Sequence, residues 1–128
     1  MSEQDHLLSR LGMRDVEDTD ERLVIEMDNR PDLVNIRGAI QGGLVATLID
    51  IAAGRLAGTV AGPQRDVTTA DMNVHFLAPI IDGPAHAVAT VVRAGRRLIV
   101  TSVDVFDAGR DRLAARATLT FAVLERPL

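Results

Sequence analysis

The run Gly42-Gly43-Leu44-Val45-Ala46-Thr47-Leu48-Ile49-Asp50-Ile51-Ala52-Ala53-Gly54-Arg55-Leu56-Ala57-Gly58-Thr59-Val60-Ala61 is small and apolar almost throughout. Ala, Leu and Ile suit a helix, and a helix apolar all round is one buried by other elements. Gly62-Pro63 ends it. Asp50, Gly54, Arg55 and Gly58 interrupt the run, which argues against a membrane span. The spacing therefore predicts one long buried helix from about Gly43 to Ala61.

Outward from that helix the period changes. Upstream, Glu21–Asp28 alternates, with Leu23, Ile25 and Met27 on one face, and reads as a strand. Residues 29–38, with Pro31, Asp32, Asn35 and Gly38, read as a loop, and residues 4–11 as a short helix closed by Gly12. Downstream, Val67–Leu77, Pro84–Arg93, Arg97–Phe106 and Arg112–Leu124 read as strands. Ala94-Gly95 and Ala108-Gly109 mark two of the turns. A strand, a long helix and four strands joined by short connections predict an α+β layer, an antiparallel sheet with one helix against it. The 128 residues make one domain, with no repeat, linker or dinucleotide fingerprint.

Composition excludes several kinds of chemistry. Three Phe are the only aromatics, so no base-stacking platform exists. Net charge is −4 and the pI near 5.2, which predicts affinity for neither nucleic acid nor an anionic membrane. All fourteen basic residues are Arg, so Schiff-base and P-loop lysine chemistry are out. Without Cys there is no thiolate catalysis and no Cys-based metal site, and no His, Asp and Glu fall at metal-ligand spacing. The N-terminus lacks the apolar stretch of a signal peptide, so a cytoplasmic protein is the expectation.

Two features inside the decisive segment carry chemistry. Gly42 and Gly43 open the helix, where the first amides are free, approachable and backed by the positive end of the dipole. A carbonyl oxygen placed there is polarised, and the oxyanion of acyl transfer is stabilised. Asp50, eight residues on, is costly on an apolar helix unless it is paired or has a task. A bond to a nearby loop and a catalytic role are both open on spacing alone.

With Asn35 six residues before Gln41-Gly42-Gly43, and Asp50 eight after Gly42, the segment resembles the PaaI-like acyl-CoA thioesterase branch of the hotdog superfamily. Asp71-Met72-Asn73-Val74-His75-Phe76-Leu77-Ala78-Pro79, the turn Val92-Arg93-Ala94-Gly95-Arg96 and the last strand, Leu113 to Val123, are similar too. The resemblance implies a five- or six-stranded antiparallel sheet wrapped around the helix, and hydrolysis of acyl-CoA to free acid and CoA at a dimer interface. It implies Asp50 as base or nucleophile, the Gly42 amide as oxyanion donor, Asn35 positioning the thioester or water, and Thr69 near the nucleophilic water. Coenzyme A enters as part of the substrate, with no separate cofactor. The pattern's His is Gln41 here, which hydrogen-bonds but cannot titrate. That departure motivates the alternative of a non-catalytic acyl-CoA or small-acyl binding protein.

Eight residues of helix span about 12 Å. A carboxylate must reach within about 3 Å, or one water, of the group it acts on. Asp50 therefore cannot serve a thioester held by its own chain's Gly42, and a catalytic reading requires a homodimer or a dimer-of-dimers homotetramer. Arg93, Arg96 and Arg97 flank a turn and are candidates for the CoA phosphates. Straight alternation puts His75 on one face with Thr69, Asp71 and Asn73, where a cross-strand polar contact is expected; His6 and His86 read as surface residues.

Overall fold

The computed structural model describes residues 6–125. Helix α1, Gly42–Ala61, lies on one face of a single six-stranded sheet. The strands are β1 (Met13–Asp18), β2 (Arg22–Met27), β3 (Arg65–Phe76), β4 (Ala85–Ala94), β5 (Leu98–Asp107) and β6 (Arg112–Glu125). They run β1-β2-β4-β5-β6-β3, and every neighbouring pair is antiparallel. This is the arrangement expected, with the helix bounds at Gly42 and Ala61.

Alternation on the central strands explains how the helix seats. Ala85, Ala87 and Ala89 of β4, Ile99, Val103 and Val105 of β5, and Ala115, Ala117, Leu119 and Phe121 of β6 are buried under it. The helix returns Val45, Leu48, Ile49, Ala52, Ala53, Leu56 and Ala57. Alanine facing alanine lets helix and sheet approach closely, which suits a chain with so few aromatics. α1 is apolar and long enough to span a bilayer by composition, yet these side chains are spent on the sheet.

β1 is the strand the alternation did not reveal. Four of its six residues (Arg14, Asp15, Glu17, Asp18) are charged, as befits an edge strand kept from pairing further. Arg55 of α1 holds it with bonds of 2.6 and 2.9 Å to Asp15 and 3.1 Å to Asp18. Of the helix expected over residues 4–11, Leu7–Arg10 form a 3-10 turn, and residues 4 and 5 lie outside the described residues.

The other edge strand, β3, carries a break that reassigns its faces. Thr69 lies opposite Phe121, but Asp71 lies opposite Thr120, so Ala70 is an extra residue in the ladder. Val67 and Thr69 face the helix before this bulge; Met72, Val74 and Phe76 do so after it, opposite buried Leu119, Ala117 and Ala115. His75, Asp71 and Asn73 thus share the outer face and are separated from Thr69, contrary to the expectation from straight alternation. His75 stands exposed opposite Arg116.

Candidate active site

α1 and β3 are joined by a tight turn, so the two elements run back along each other. That return brings Asp50 beside the start of β3, where Thr69 Oγ1 donates a 2.8 Å hydrogen bond to Asp50 Oδ1. Asp50 is half-buried and Thr69 exposed, because β3 is an edge with nothing beyond it. Asp50 has no other hydrogen bond among the described residues, which leaves Oδ2 available to a ligand or water. The carboxylate is thus oriented from one side and open on the other.

The opposite end of this stretch of helix carries the free amides. Leu44 and Val45 N–H both donate to the Gln41 carbonyl at 3.0 Å and are the first to find partners. The Gly42 and Gly43 N–H groups donate to nothing among the described residues, and both glycines are exposed. A side chain at Gly42 would lie 3.6 Å from the Phe76 ring, whereas one at Gly43 would meet nothing within 4 Å among the described residues beyond its own stretch of helix. Backbone N–H groups at a helix start are hydrogen-bond donors aimed at a negative or polarised oxygen.

Asn35 stands beside them. Its Oδ1 accepts from the amides of Arg37 at 2.9 Å and Ala39 at 3.2 Å, and so holds the turn that leads into the helix. Asn35 and Gly42 share the wall of a cavity of about 320 Å³ with Val45, Phe76, Leu77 and Ile80. Gln41 occupies the N-cap position, but its exposed side chain makes no capping bond. The sequence reading did not single out Phe76, although it is one of three aromatics and follows the bulge that turns it toward Gly42.

Two half-sites result. Asp50 with Thr69 forms one; Gly42, Gly43, Asn35 and Gln41 form the other, about 12 Å along the same helix. Arg93, Arg96 and Arg97 belong to neither. They surround the β4–β5 hairpin at the far end of α1, where Arg65 donates to the carbonyls of Ala61 at 3.2 Å and Arg96 at 3.5 Å. His86, expected at the surface, is partly buried instead: its Nδ1 lies 2.6 Å from Glu26 Oε2, because β2 and β4 set the two residues opposite each other.

Comparison with known proteins identifies the family and the fold. Residues 37–114 match the family model described as "Thioesterase superfamily". The chain is 31% identical over 101 residues to human acyl-coenzyme A thioesterase 13, covering 77% of this chain and 71% of that one. It is 33% identical over 91 residues to SSO1253 of Saccharolobus solfataricus, covering 71% of this chain but spanning only 59% of that protein. Among solved structures, a thioesterase family protein from Silicibacter pomeroyi superposes with a TM-score of 0.87 at 28% identity, covering 96% of this chain and 92% of that one. BH2602 of Bacillus halodurans, solved with CoA, superposes with a TM-score of 0.75 at 27% identity, covering 79% of this chain and 66% of that one. With its helix laid on a six-stranded antiparallel sheet, the chain belongs to the thioesterase superfamily and has its hotdog fold.

Proposed function

We propose that this protein hydrolyses acyl-CoA thioesters in the PaaI-like manner, as a homodimer whose sites each draw on both chains. The observation that carries the reading is the Thr69-held carboxylate of Asp50 set about 12 Å along the helix from the unpaired Gly42 and Gly43 amides. Each half-site has one role in acyl transfer and lacks the other. Two helices lying antiparallel across a twofold axis would bring the missing half to each.

The β3 edge supplies a surface for that pairing. It is twelve residues long and leaves Met72 and Phe76 40% and 57% exposed on its helix-facing side. Pairing β3 with the partner's β3 would continue the sheet and cover both side chains. In the resulting site the thioester carbonyl lies on one chain's Gly42 amide. Asp50 of the other chain takes a proton from water as that water attacks the carbonyl carbon. The oxyanion is held by the amide; the C–S bond then breaks, and CoA leaves as a thiolate that takes up a proton.

The alternative, attack by Asp50 itself, forms a mixed anhydride that water then opens. Rapid quench followed by mass spectrometry of the intact chain distinguishes the two, since only the anhydride route passes through an acylated Asp50. The phosphates of CoA fall to Arg93, Arg96 and Arg97, none of which has a carboxylate partner among the described residues. Asp50 lies eleven residues, about 17 Å, from the helix end near that hairpin.

The deciding experiment is release of free thiol from a panel of acyl-CoAs. Turnover that is lost in Asp50→Ala supports the enzyme. Saturable acyl-CoA binding with no turnover would instead favour a binding protein, the reading that Gln41, a side chain unable to titrate, brings with it.

A further inference from the structure

Asp107 closes β5 with its side chain wholly buried. Its Oδ2 accepts from the amides of Ile81 at 3.0 Å and Asp82 at 3.2 Å, and its Oδ1 accepts from Gly83 at 2.7 Å. Three consecutive backbone donors on one carboxylate fix the orientation of the loop between β3 and β4. Burial by itself disfavours the charge, but those amides and nearby Arg110 outweigh it and hold the carboxyl below the usual range. Arg110 itself is bonded to Asp82, at 3.1 Å, and not to Asp107.

The rest of the loop is tied down as well. Leu77 and Ala78 N–H donate to the Ala114 carbonyl, Arg112 to the Pro79 carbonyl and Asn29 Nδ2 to the Ile81 carbonyl. Between these, the Ile80 carbonyl accepts a 3.1 Å bond from the N–H of Ile40. Ile40 stands two residues before Gly42, and both isoleucines are buried. Gln41 N–H is held in turn by the Leu33 carbonyl at 3.0 Å. The segment leading into α1 therefore hangs from two carbonyls, and the amides of the three residues that follow one of them are anchored on Asp107.

We propose that Asp107 is a positioning residue for the oxyanion donor: by clamping residues 81–83 it fixes the Ile80 carbonyl, and through Ile40 the Gly42 amide at the start of α1. The proposal rests on the thioesterase reading. It matters because an error of about 1 Å in such a donor costs up to about a hundredfold in rate. Asp107 touches no substrate and acts only through the chain Ile81–Gly83, Ile80, Ile40 and Gly42.

The test compares the full-length wild type with Asp107→Asn, which puts an NH₂ against at least one amide N–H. Four quantities are measured: kcat, KM, amide hydrogen exchange at Ile40, and affinity for two inert analogues of the best acyl-CoA. One is a thioether without the carbonyl; the other is a ketone with CH₂ in place of sulfur. The expected result is a kcat lower by about tenfold with KM within about twofold, faster exchange at Ile40, and weaker binding of the ketone alone. Unchanged kcat, unchanged Ile40 exchange, or equal weakening of both analogues overturns the proposal. If the wild type turns over no acyl-CoA, the thioesterase reading fails by itself. Exchange and the ketone-to-thioether ratio then decide the positioning role, faster exchange with selective ketone loss supporting it and any other result overturning it. Should Asp107→Asn not fold, replacing Ile40 by its α-hydroxy acid removes the N–H that the Ile80 carbonyl holds; the same fall in kcat and the same selective loss of ketone binding are then expected, and the absence of either overturns the proposal.

Discussion

Thr69 Oγ1 and Asp50 Oδ1 are 2.8 Å apart although nineteen residues separate them in the chain. Thr69 is the last helix-facing residue before the bulge at Ala70 changes the strand's parity. With one carboxylate oxygen fixed, the other is aimed. Thr69→Val keeps the shape and removes the donor, so kcat should fall about tenfold, the worth of one hydrogen bond to a charged group. Thr69→Ser should stay near wild type, and Asp50→Asn should lose about a hundredfold or more. Steady-state kinetics on the best acyl-CoA check all three; a Thr69→Val enzyme with normal kcat would confine the bond to a structural role.

The helix and the central strands were legible because burial there is uniform and alternation clean: Ala85, Ala87 and Ala89 mark one face of β4 in the sequence alone. The separation of Gly42 and Asp50 along one helix was also legible, since helical rise is fixed by geometry. The bulge was not. Reading β3 by parity put His75 with Thr69, and nothing in Thr69-Ala70-Asp71 announces an extra residue. β1 was missed because its charges suppress the apolar signal that alternation needs. Asp107 escaped notice for a third reason: before Ala108-Gly109 it reads as ordinary turn chemistry, and its burial comes from a loop twenty-five residues upstream.

Gln41 offers a direct comparison with the residue the family pattern carries. Its side chain is exposed and makes no capping bond, so replacing it removes no cap from the helix. Gln41→His should leave thermal stability within about 0.5 kcal/mol, as for a surface substitution. If proton transfer at this position limits the reaction, turnover rises and acquires a dependence on an ionisation near pH 6.5. An unchanged rate and pH profile assigns position 41 to holding the lead-in segment only.

Asp107 makes a pH-dependent contribution whose sign is fixed. Its folded pKa is held below the ordinary carboxylate value, so the charged form is favoured in the folded state. Its stabilisation is therefore complete above the unfolded pKa, about 4, and is lost as pH falls through the lower folded value. Asp107→Asn should cost about 2 kcal/mol at pH 7, from hydrogen bonds to a charged group. The difference from wild type should shrink as pH drops below about 4. Urea unfolding across that range measures it; a gap that stays constant would mean that shape, not charge, holds the loop.

The Arg cluster at the β4–β5 hairpin should act on binding alone. Arg93→Ala, Arg96→Ala and Arg97→Ala each remove a charge from an exposed turn, so folding is little affected. If they meet CoA phosphates, KM rises several-fold with kcat unchanged, and added salt narrows the gap from wild type. A truncated thioester lacking the nucleotide should show no such difference. Equal kinetics on CoA and truncated substrates would move the phosphates elsewhere.

The last expectation concerns the shared site. Asp50 and Gly42 of one chain sit about 12 Å apart, so in the proposed function each active site would take one residue from each chain. Asp50→Ala disables one half-site, and Asn35→Ala disables the other by releasing the turn that Asn35 Oδ1 holds on Arg37 and Ala39. Each homodimer then has two damaged sites. In a mixed dimer one site collects both lesions and the other collects neither. Refolding the two inactive variants together should therefore restore thiol release, up to about one quarter of the wild-type rate, because half of the dimers are mixed and each mixed dimer has one intact site. Native mass spectrometry establishes that the mixed dimers have formed. If they form and stay as inactive as their parents, Gly42 does not face the partner's Asp50, and the two-chain site is wrong.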